Sequence, residues 1–301
     1  MTPWTVGRRG LRVALATALL LAASGAPAQF NALRLLGSVN LGGPAAAPSP
    51  GGASGGDLLQ LLSQSLEQID EPKEIEIGRQ LAAVLLGSKP IHGDMALQAY
   101  VNRLGRWISL HSTRPNLPWA FVVLDDKGYN AFAAPGGYVF VTKGLIDRVR
   151  DEAELAGILA HEITHVTSRH HLIALRSKAQ AGVLTQLVGS QLKNNLGGWV
   201  SSQLLALGRN LYASGLDQQD EFDADRNGTE LAARAGLDPY GLAAALQQLR
   251  TASPDDPLFT LSLSTHPPAQ QRLEQIELAM GTRLDALAGK PPVPLASRLA
   301  H

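Results

Sequence analysis

The spacing of apolar residues predicts a buried helix near the middle of the chain. Four of them recur three to four positions apart, as along one face of a helix: Leu155, Ile158, Leu159 and Ile163. Asp151 precedes this stripe, and Glu154 stands three residues after Asp151, which is the arrangement of a helix-capping box. We therefore expect a helix that begins after Asp151 and packs its apolar face against a core.

Two short β-rich runs predict a small sheet. Residues 121–124 read FVVL and residues 138–141 read YVFV, and both runs are rich in β-branched and aromatic side chains. A turn signal, Pro-Gly-Gly at 135–137, stands directly before the second run. We expect these two strands to pair with each other as a hairpin.

Polar residues interrupt the apolar helix at 161–165, where the sequence reads HEITH. His161 and His165 share one helix face, so both imidazoles can reach the same metal ion. Glu162 would then face the open side of the metal, where a water molecule binds. Buried polar groups without partners are costly, and a metal ion would remove that cost. This favours a zinc-dependent peptidase over the alternative, a solvated helix face without a metal.

His171 is one candidate for a third metal ligand. It stands ten residues after His161, the spacing of the third histidine in metzincins, but their midway glycine is replaced by Ser168. If the helix continues straight, it carries His171 about 15 Å along the axis from His161, too far to share an ion. His170 and His171 would then simply form a polar helix end.

Glu221 is the second candidate for the third ligand. Asp225 follows it by four residues, so the two carboxylates share a face of the helix that residues 221–226 begin. Glu221 would complete a His-His-Glu zinc site, and Asp225 could accept the ring N–H of a ligating histidine. The alternative is that these acids, with Asp223, only stabilise the helix N-terminus.

Four motifs in order resemble the HtpX-like family of zinc metallopeptidases. They are NAFAAPGGYV at 130–139, HEITH at 161–165, EFDAD at 221–225 followed by Arg226, and STHPP at 264–268 with Arg272. This family also contains CAAX prenyl protease 1 and the BepA-type and OMA-type enzymes, and the resemblance covers residues 70 to 280, approximately. It implies an α+β, mostly helical fold of gluzincin type, with a small sheet or hairpin over the HExxH helix.

The resemblance also implies the roles of the site residues. One Zn²⁺ per subunit would be held by His161, His165 and Glu221, with Glu162 as general base and Asp225 orienting a ligand. Three further residues are candidates for substrate binding on the strand segment: Gly136, Gly137 and Tyr138. His266 could donate to the oxyanion, cover the zinc or be an ordinary surface histidine, and Arg272 could serve the site or pair with a carboxylate.

The N-terminus predicts export. A basic start, an apolar run at 13–23 and the Ala-Pro-Ala site at 26–28 are typical of a signal peptide, here residues 1–28. An uncleaved anchor is the alternative, and Arg8-Arg9 is only a weak twin-arginine signal. Residues 29–57 read as a flexible linker, 58–289 as the peptidase domain and 290–301 as a loose tail.

The composition of the chain limits which classes of binding partner are expected. The chain has a formal net charge of +0 and no nucleic-acid-binding motif, so nucleic acid is not expected as a partner. Without cysteine, it can form neither a disulfide nor a cysteine ligand. The apolar segment 172–212 is broken by glycines and is expected to form amphipathic helices that cover the site, or to touch a membrane peripherally.

Taken together, these features predict a periplasmic zinc endopeptidase that cleaves misfolded or unassembled envelope proteins. A chaperone-like binding protein is one alternative, and a zinc hydrolase acting on a non-peptide bond is another. The intact HExxH and ExxxD motifs weigh against a purely binding role, which would need neither.

Overall fold

The computed structural model describes residues 69–180, 214–253 and 256–299. Within these ranges the first half of the chain contains α1 (Glu71–Ser88), α2 (Met95–Ser109), β1 (Ala120–Leu124), β2 (Ala131–Ala134), β3 (Tyr138–Thr142), α3 (Lys143–Ile146), α4 (Glu152–Thr167) and α5 (His170–Gln180). The second half contains α6 (Gln218–Arg234), α7 (Gly241–Thr251), α8 (Thr260–Thr265), α9 (Ala269–Met280), a 3₁₀ turn (Asp285–Leu287) and α10 (Leu295–Leu299). The predicted α+β, mostly helical class is confirmed.

The sheet has the strand order β1-β3-β2, and its topology corrects the predicted hairpin. β1 pairs with β3 in parallel, whereas β2 and β3 form the antiparallel hairpin. The turn between β2 and β3 contains Gly136 and Gly137 at φ 78° and 104°, a conformation that favours glycine. β2 reads AFAA, and its alanines carry little β signal, so the pattern of the sequence missed this strand.

Helix α4 runs through the middle of the described fold. Its residues from Glu154 to Val166 are buried without interruption, so the helix is enclosed on all sides rather than on one face. It packs against α6 and α7, and also against α2, β2 and β3. Its start is as predicted, because the Asp151 carboxylate accepts a hydrogen bond from the backbone N–H of Glu154 at 3.0 Å.

Two glycines let the neighbouring helices approach the backbone of α4. A Cβ added at Gly157 would lie 2.3 Å from the backbone nitrogen of Leu242 in α7. A Cβ added at Gly228 in α6 would lie 2.8 Å from the backbone nitrogen of His161. The close contact at Gly228 brings α6 against α4 at His161. The earlier turns of α6, which contain Glu221, therefore lie beside the HEITH segment.

The C-terminal segment corrects another expectation, that of a loose tail from 290. The Val293 carbonyl accepts a hydrogen bond from the Glu152 N–H at 2.8 Å, and Arg298 pairs with the Glu152 carboxylate at 2.8 Å. Leu295 is buried in the main core. This packing could not be predicted from the sequence, because the prolines at 291, 292 and 294 interrupt any helical or strand periodicity of apolar residues.

Several predicted segments lie outside the described residues. These are the signal peptide, the linker, the first residues of the peptidase domain to 68 and, from 181 on, the amphipathic segment predicted at 172–212. In the part of the chain that the structure describes, no helix is both long and apolar enough to cross a bilayer.

Candidate metal centre

Helices α4 and α6 bring together the side chains of His161, His165 and Glu221. The Nε2 atoms of the two histidines are 3.0 Å apart, and each lies 3.6 Å from one Glu221 carboxylate oxygen. One potential ligand atom from each of the three residues lies within 4.8 Å of the others. All three side chains are buried. The spacing in α4 sets the histidine pair, and the contact of α6 at Gly228 brings the glutamate to it.

Both histidines have a partner on the nitrogen that points away from this cluster. The Nδ1 of His161 lies 2.9 Å from a carboxylate oxygen of Asp225, and the Nδ1 of His165 lies 2.9 Å from the Nδ1 of His170. A ligating histidine donates its other ring N–H in this way, which fixes the tautomer and the ring orientation. The two Nε2 atoms are thereby turned towards one common point.

The residues present fit a zinc ion. Within the described residues, Glu221 Oε2 is buried and has no hydrogen-bond partner. An unpaired buried carboxylate oxygen is costly, and a cation beside it removes the cost. Two imidazoles and one carboxylate are also the donor set of catalytic zinc sites, which keep a fourth position for water or substrate.

The electrostatics of the cluster depend on burial and on the close charges. Burial would raise the pKa of Glu221, but the surrounding histidines, His266 foremost, hold it well below its usual range. Burial and the neighbouring His161 lower the pKa of His165 well below its usual value. Burial would lower the pKa of His161 too, yet the nearby carboxylates of Asp225 and Glu221 raise it to about 9. The cluster therefore offers an ionised carboxylate and a neutral imidazole, while a metal ion would compete with the proton of His161.

Arg272 from α9 pairs with Asp225 behind the cluster. Its Nε and Nη2 donate to the two carboxylate oxygens of Asp225 at 2.8 and 2.6 Å. Both side chains are buried, and the guanidinium lowers the pKa of Asp225 against the opposing effect of burial. Arg272 thus pairs with a carboxylate, one of the two roles that the sequence left open, and it holds the Asp225 oxygen that contacts His161.

Glu162 and His266 line a cavity of about 250 Å³ beside the cluster. Burial raises the pKa of Glu162 to about 7. His266 is largely buried and is not a surface histidine, since its Nε2 lies 3.7 Å from Glu221 Oε2 and its Nδ1 lies 3.2 Å from the Ser262 carbonyl. His161, Glu162 and His266 form a second set with ligand atoms within 4.8 Å of one another. The choice between oxyanion donor and zinc cover stays a prediction.

The helix does not continue straight after the HEITH motif, which was the condition for a polar helix end at His170 and His171. α4 ends at Thr167, Arg169 adopts φ 59°, and α5 starts at His170. His170 and His171 are therefore buried beside His165 instead of forming a polar helix end. His171 lines the cavity, with its ring centroid 5.7 Å from that of His165, but it belongs to neither ligand set among the described residues.

Glu74 in α1 accounts for this unusual turn. Its buried carboxylate forms an ion pair with Arg169, whose Nε lies 2.9 Å away. The same carboxylate accepts hydrogen bonds from Arg114 at 2.7 and 2.9 Å and from the Gly136 N–H at 3.2 Å. These contacts offset the cost of a non-glycine residue in the left-handed region. Glu74 and the three residues that contact it lie far apart in the sequence. No local sequence pattern could therefore have predicted the turn.

The three residues predicted to bind substrate, Gly136, Gly137 and Tyr138, lie outside the cavity beside the metal cluster. Gly136 packs against α1 and Gly137 against Trp119, and the partly buried Tyr138 packs against the smaller core cluster that contains Phe140. None of the three lines the cavity. Residues 130–132, at the start of the edge strand β2, line it instead. β3 lies between β1 and β2, so unlike β2 it has no free edge at which a substrate strand could pair.

Gly228→Ala is expected to weaken both zinc binding and folding. The new methyl group would push α6 away from α4 at His161 and carry Glu221 with it, and such overpacking typically costs about 1–3 kcal/mol. Urea unfolding and zinc competition titrations would measure the two effects. Gly87→Ala in α1 is the matched control, since nothing lies within 4 Å of its Cβ and alanine favours helix by up to about 1 kcal/mol. Equal behaviour of the two variants would contradict the close contact.

Comparison with known proteins adds an independent line of evidence. The model of peptidase family M48 matches residues 95–279, which is more than half of the chain and includes the metal cluster, Glu162 and His266. The Beta-barrel assembly-enhancing protease of Escherichia coli (strain K12) is 30% identical over 206 residues, covering 67% of this chain and 42% of that protein.

Two further relatives come from other groups of organisms. The Mitochondrial metalloendopeptidase OMA1 of Schizosaccharomyces pombe is 31% identical over 192 residues, covering 62% of this chain and 56% of that protein. The Protease HtpX homolog of Salinibacter ruber is 30% identical over 200 residues, covering 56% of this chain and 71% of that protein. The chain thus spans about two fifths of the length of the β-barrel-assembly relatives, and these similarities concern the peptidase region.

Proposed function

Because the chain belongs to peptidase family M48, we propose that it is a zinc-dependent endopeptidase that hydrolyses misfolded or unassembled polypeptides of the cell envelope. The observation that carries this proposal is the convergence of His161, His165 and Glu221, with both outer imidazole nitrogens already occupied. A donor set of this kind, buried beside a cavity that contains a second carboxylate, serves peptide hydrolysis well.

Each residue of the site has a separate task in the proposed mechanism. Zinc, when bound, polarises the substrate carbonyl and makes its water more acidic. Glu162 takes the proton of the attacking water and passes it to the leaving amine, which is general base and then general acid catalysis. His266 faces the same cavity, and because its Nδ1–H is directed at the Ser262 carbonyl, it is the protonated imidazolium that would donate from Nε2 to the developing oxyanion. Asp225, held by Arg272, keeps His161 in the tautomer that turns Nε2 inwards.

The position of the edge strand β2 is an argument for a polypeptide as the substrate. Its beginning at 130–132 lines the cavity, and an edge strand can bind an extended peptide through main-chain hydrogen bonds regardless of its sequence. Apolar side chains also line the cavity, among them Leu85, Leu216 and Leu261. Extended, apolar segments are accessible in unfolded proteins and concealed in folded ones, so this cavity favours misfolded substrates.

The proposed location in the envelope rests on the N-terminal sequence and on the names of the relatives, and not on the geometry of the site. The signal-peptide pattern at 1–28 predicts export to the periplasm, and one group of relatives carries the name Beta-barrel assembly-enhancing protease. Misfolded or unassembled envelope proteins are therefore the proposed substrates. For segment 172–212 two roles stay open: amphipathic helices that cover the site, or peripheral membrane contact.

Cleavage of an unfolded protein by the chain from residue 29 onward tests this function. We expect internal cuts, detected by mass spectrometry, that stop when a chelator removes the metal and resume when stoichiometric zinc is added. A natively folded protein of similar size is the control substrate and should be cut far more slowly. Binding of the unfolded protein without any zinc-dependent cut would instead favour the chaperone-like alternative.

A further inference from the structure

We propose that His170 and Asp220 are positioning residues for the metal ligand His165, and that they control zinc affinity through the hydrogen bond on its outer nitrogen. This inference rests on the proposed zinc site. It assigns a task to two residues that the HExxH and ExxxD motifs leave out, one directly after the strained turn at Arg169 and one directly before the ligand Glu221.

The contact between the two imidazoles is short and enclosed. His165 Nδ1 lies 2.9 Å from His170 Nδ1, and the ring planes are inclined by 75° with centroids 5.1 Å apart. His170 is 5% exposed, so water does not replace this contact easily. The distance is that of a hydrogen bond between one ring that donates and one that accepts.

The direction of this hydrogen bond follows from the metal site. His165 turns its Nε2 towards His161 and Glu221, so that atom must be free of a proton to ligate a metal. A neutral imidazole carries one proton, which in His165 must then be on Nδ1 and be donated to His170. The proton of His170 is consequently on its own Nε2. That atom faces the Asp220 carboxylate at 3.8 Å, and the negative charge favours this tautomer.

The two metal-binding histidines are thus supported in different ways. The outer nitrogen of His161 contacts the carboxylate of Asp225 directly, whereas the outer nitrogen of His165 contacts a second imidazole, that of His170, which in turn faces the carboxylate of Asp220. The fold supplies this arrangement by the turn at Arg169, which reverses the chain and places His170 over His165. Without that turn, the two rings would lie on successive faces of one helix and could not meet.

Two substitutions at His170 separate positioning from packing. His170→Leu fills the buried space but cannot accept the proton of His165, whereas His170→Asn places a carbonyl oxygen near the former Nδ1. Zinc affinity, measured by competition with a chromogenic chelator, should fall about 10- to 100-fold in the leucine variant, the usual effect of losing such a partner. The asparagine variant should recover most of that loss.

A double-mutant cycle tests whether Asp220 acts through His170. Asp220→Ala alone is expected to weaken zinc binding several-fold, and the same substitution should have no further effect once His170 is leucine. The visible spectrum of the cobalt-substituted chain gives a second reading, because it reports the geometry of the ligands and not the stability of the fold. It should change in His170→Leu and return towards wild type in His170→Asn.

The outcomes distinguish this inference from the proposed function. Ile108→Ala, in the core of α2, is the control for lost stability and should leave zinc affinity of the folded chain unchanged. Wild-type affinity in His170→Leu, equally weak binding in the asparagine and leucine variants, or additive effects of Asp220→Ala would each overturn the inference. Absence of zinc binding in the wild type would refute the proposed function itself.

Discussion

Glu162→Gln is expected to bind zinc like the wild type and to lose about 10²- to 10⁴-fold in proteolytic rate, the usual contribution of a general base. Glu162 lines the cavity beside His165 and Glu221 but is not one of the three residues that converge as ligands. Glutamine keeps the size of the side chain and cannot take a proton from water. The loss should therefore fall on the rate constant and not on metal content.

Parallel measurements of bound zinc and of cleavage rate on one unfolded substrate would check this. Glu152→Gln is the matched control in the same helix, because its carboxylate contacts Tyr100 and Arg298 far from the cavity. That variant should retain nearly full activity. Undiminished zinc-dependent cleavage by Glu162→Gln would refute the assignment of Glu162 as the base.

Arg272→Met is expected to produce the largest loss of stability, about 3–5 kcal/mol in the free energy of unfolding of the metal-free chain. Arg272 donates two hydrogen bonds to Asp225, and both side chains are buried. Methionine has a similar volume but, among the described residues, leaves the Asp225 carboxylate with His161 as its one charged contact. Urea denaturation followed by circular dichroism would measure the change.

Two comparisons show whether the buried charge is the cause. In Arg272→Met combined with Asp225→Asn, the unpaired charge is gone, so part of the lost stability should return. Arg79→Met removes an exposed pair with Glu76 and should cost less than about 1 kcal/mol. An equal cost for Arg272→Met and Arg79→Met would contradict the structural role assigned to the Asp225–Arg272 pair.

The sequence predicted the parts of the fold that depend on local patterns. The apolar spacing and the cap at Asp151 were sufficient for α4, and the four ordered motifs predicted a family that the M48 match confirms. The strand β2 was missed because alanine is a weak strand former, and the hairpin was consequently assigned to the wrong pair of strands.

The site was predictable where its residues follow helical spacing and not where they meet through tertiary contacts. His161, His165 and the Glu221–Asp225 pair lie four residues apart within their helices, so one face could be inferred for each. The turn at Arg169 depends instead on Glu74 and Arg114, which lie far away in the chain. For that reason, the burial of His170 against His165 could not be foreseen.

Metal content of the purified chain, wild type beside Glu221→Ala and His171→Ala, tests the central claim most directly. Glu221 is in the ligand cluster with His161 and His165, while His171 lines the same cavity outside both ligand sets. We predict one zinc per chain in the wild type, retention of zinc in His171→Ala and loss of zinc in Glu221→Ala. Zinc lost from the His171 variant and kept by the Glu221 variant would contradict the His-His-Glu site.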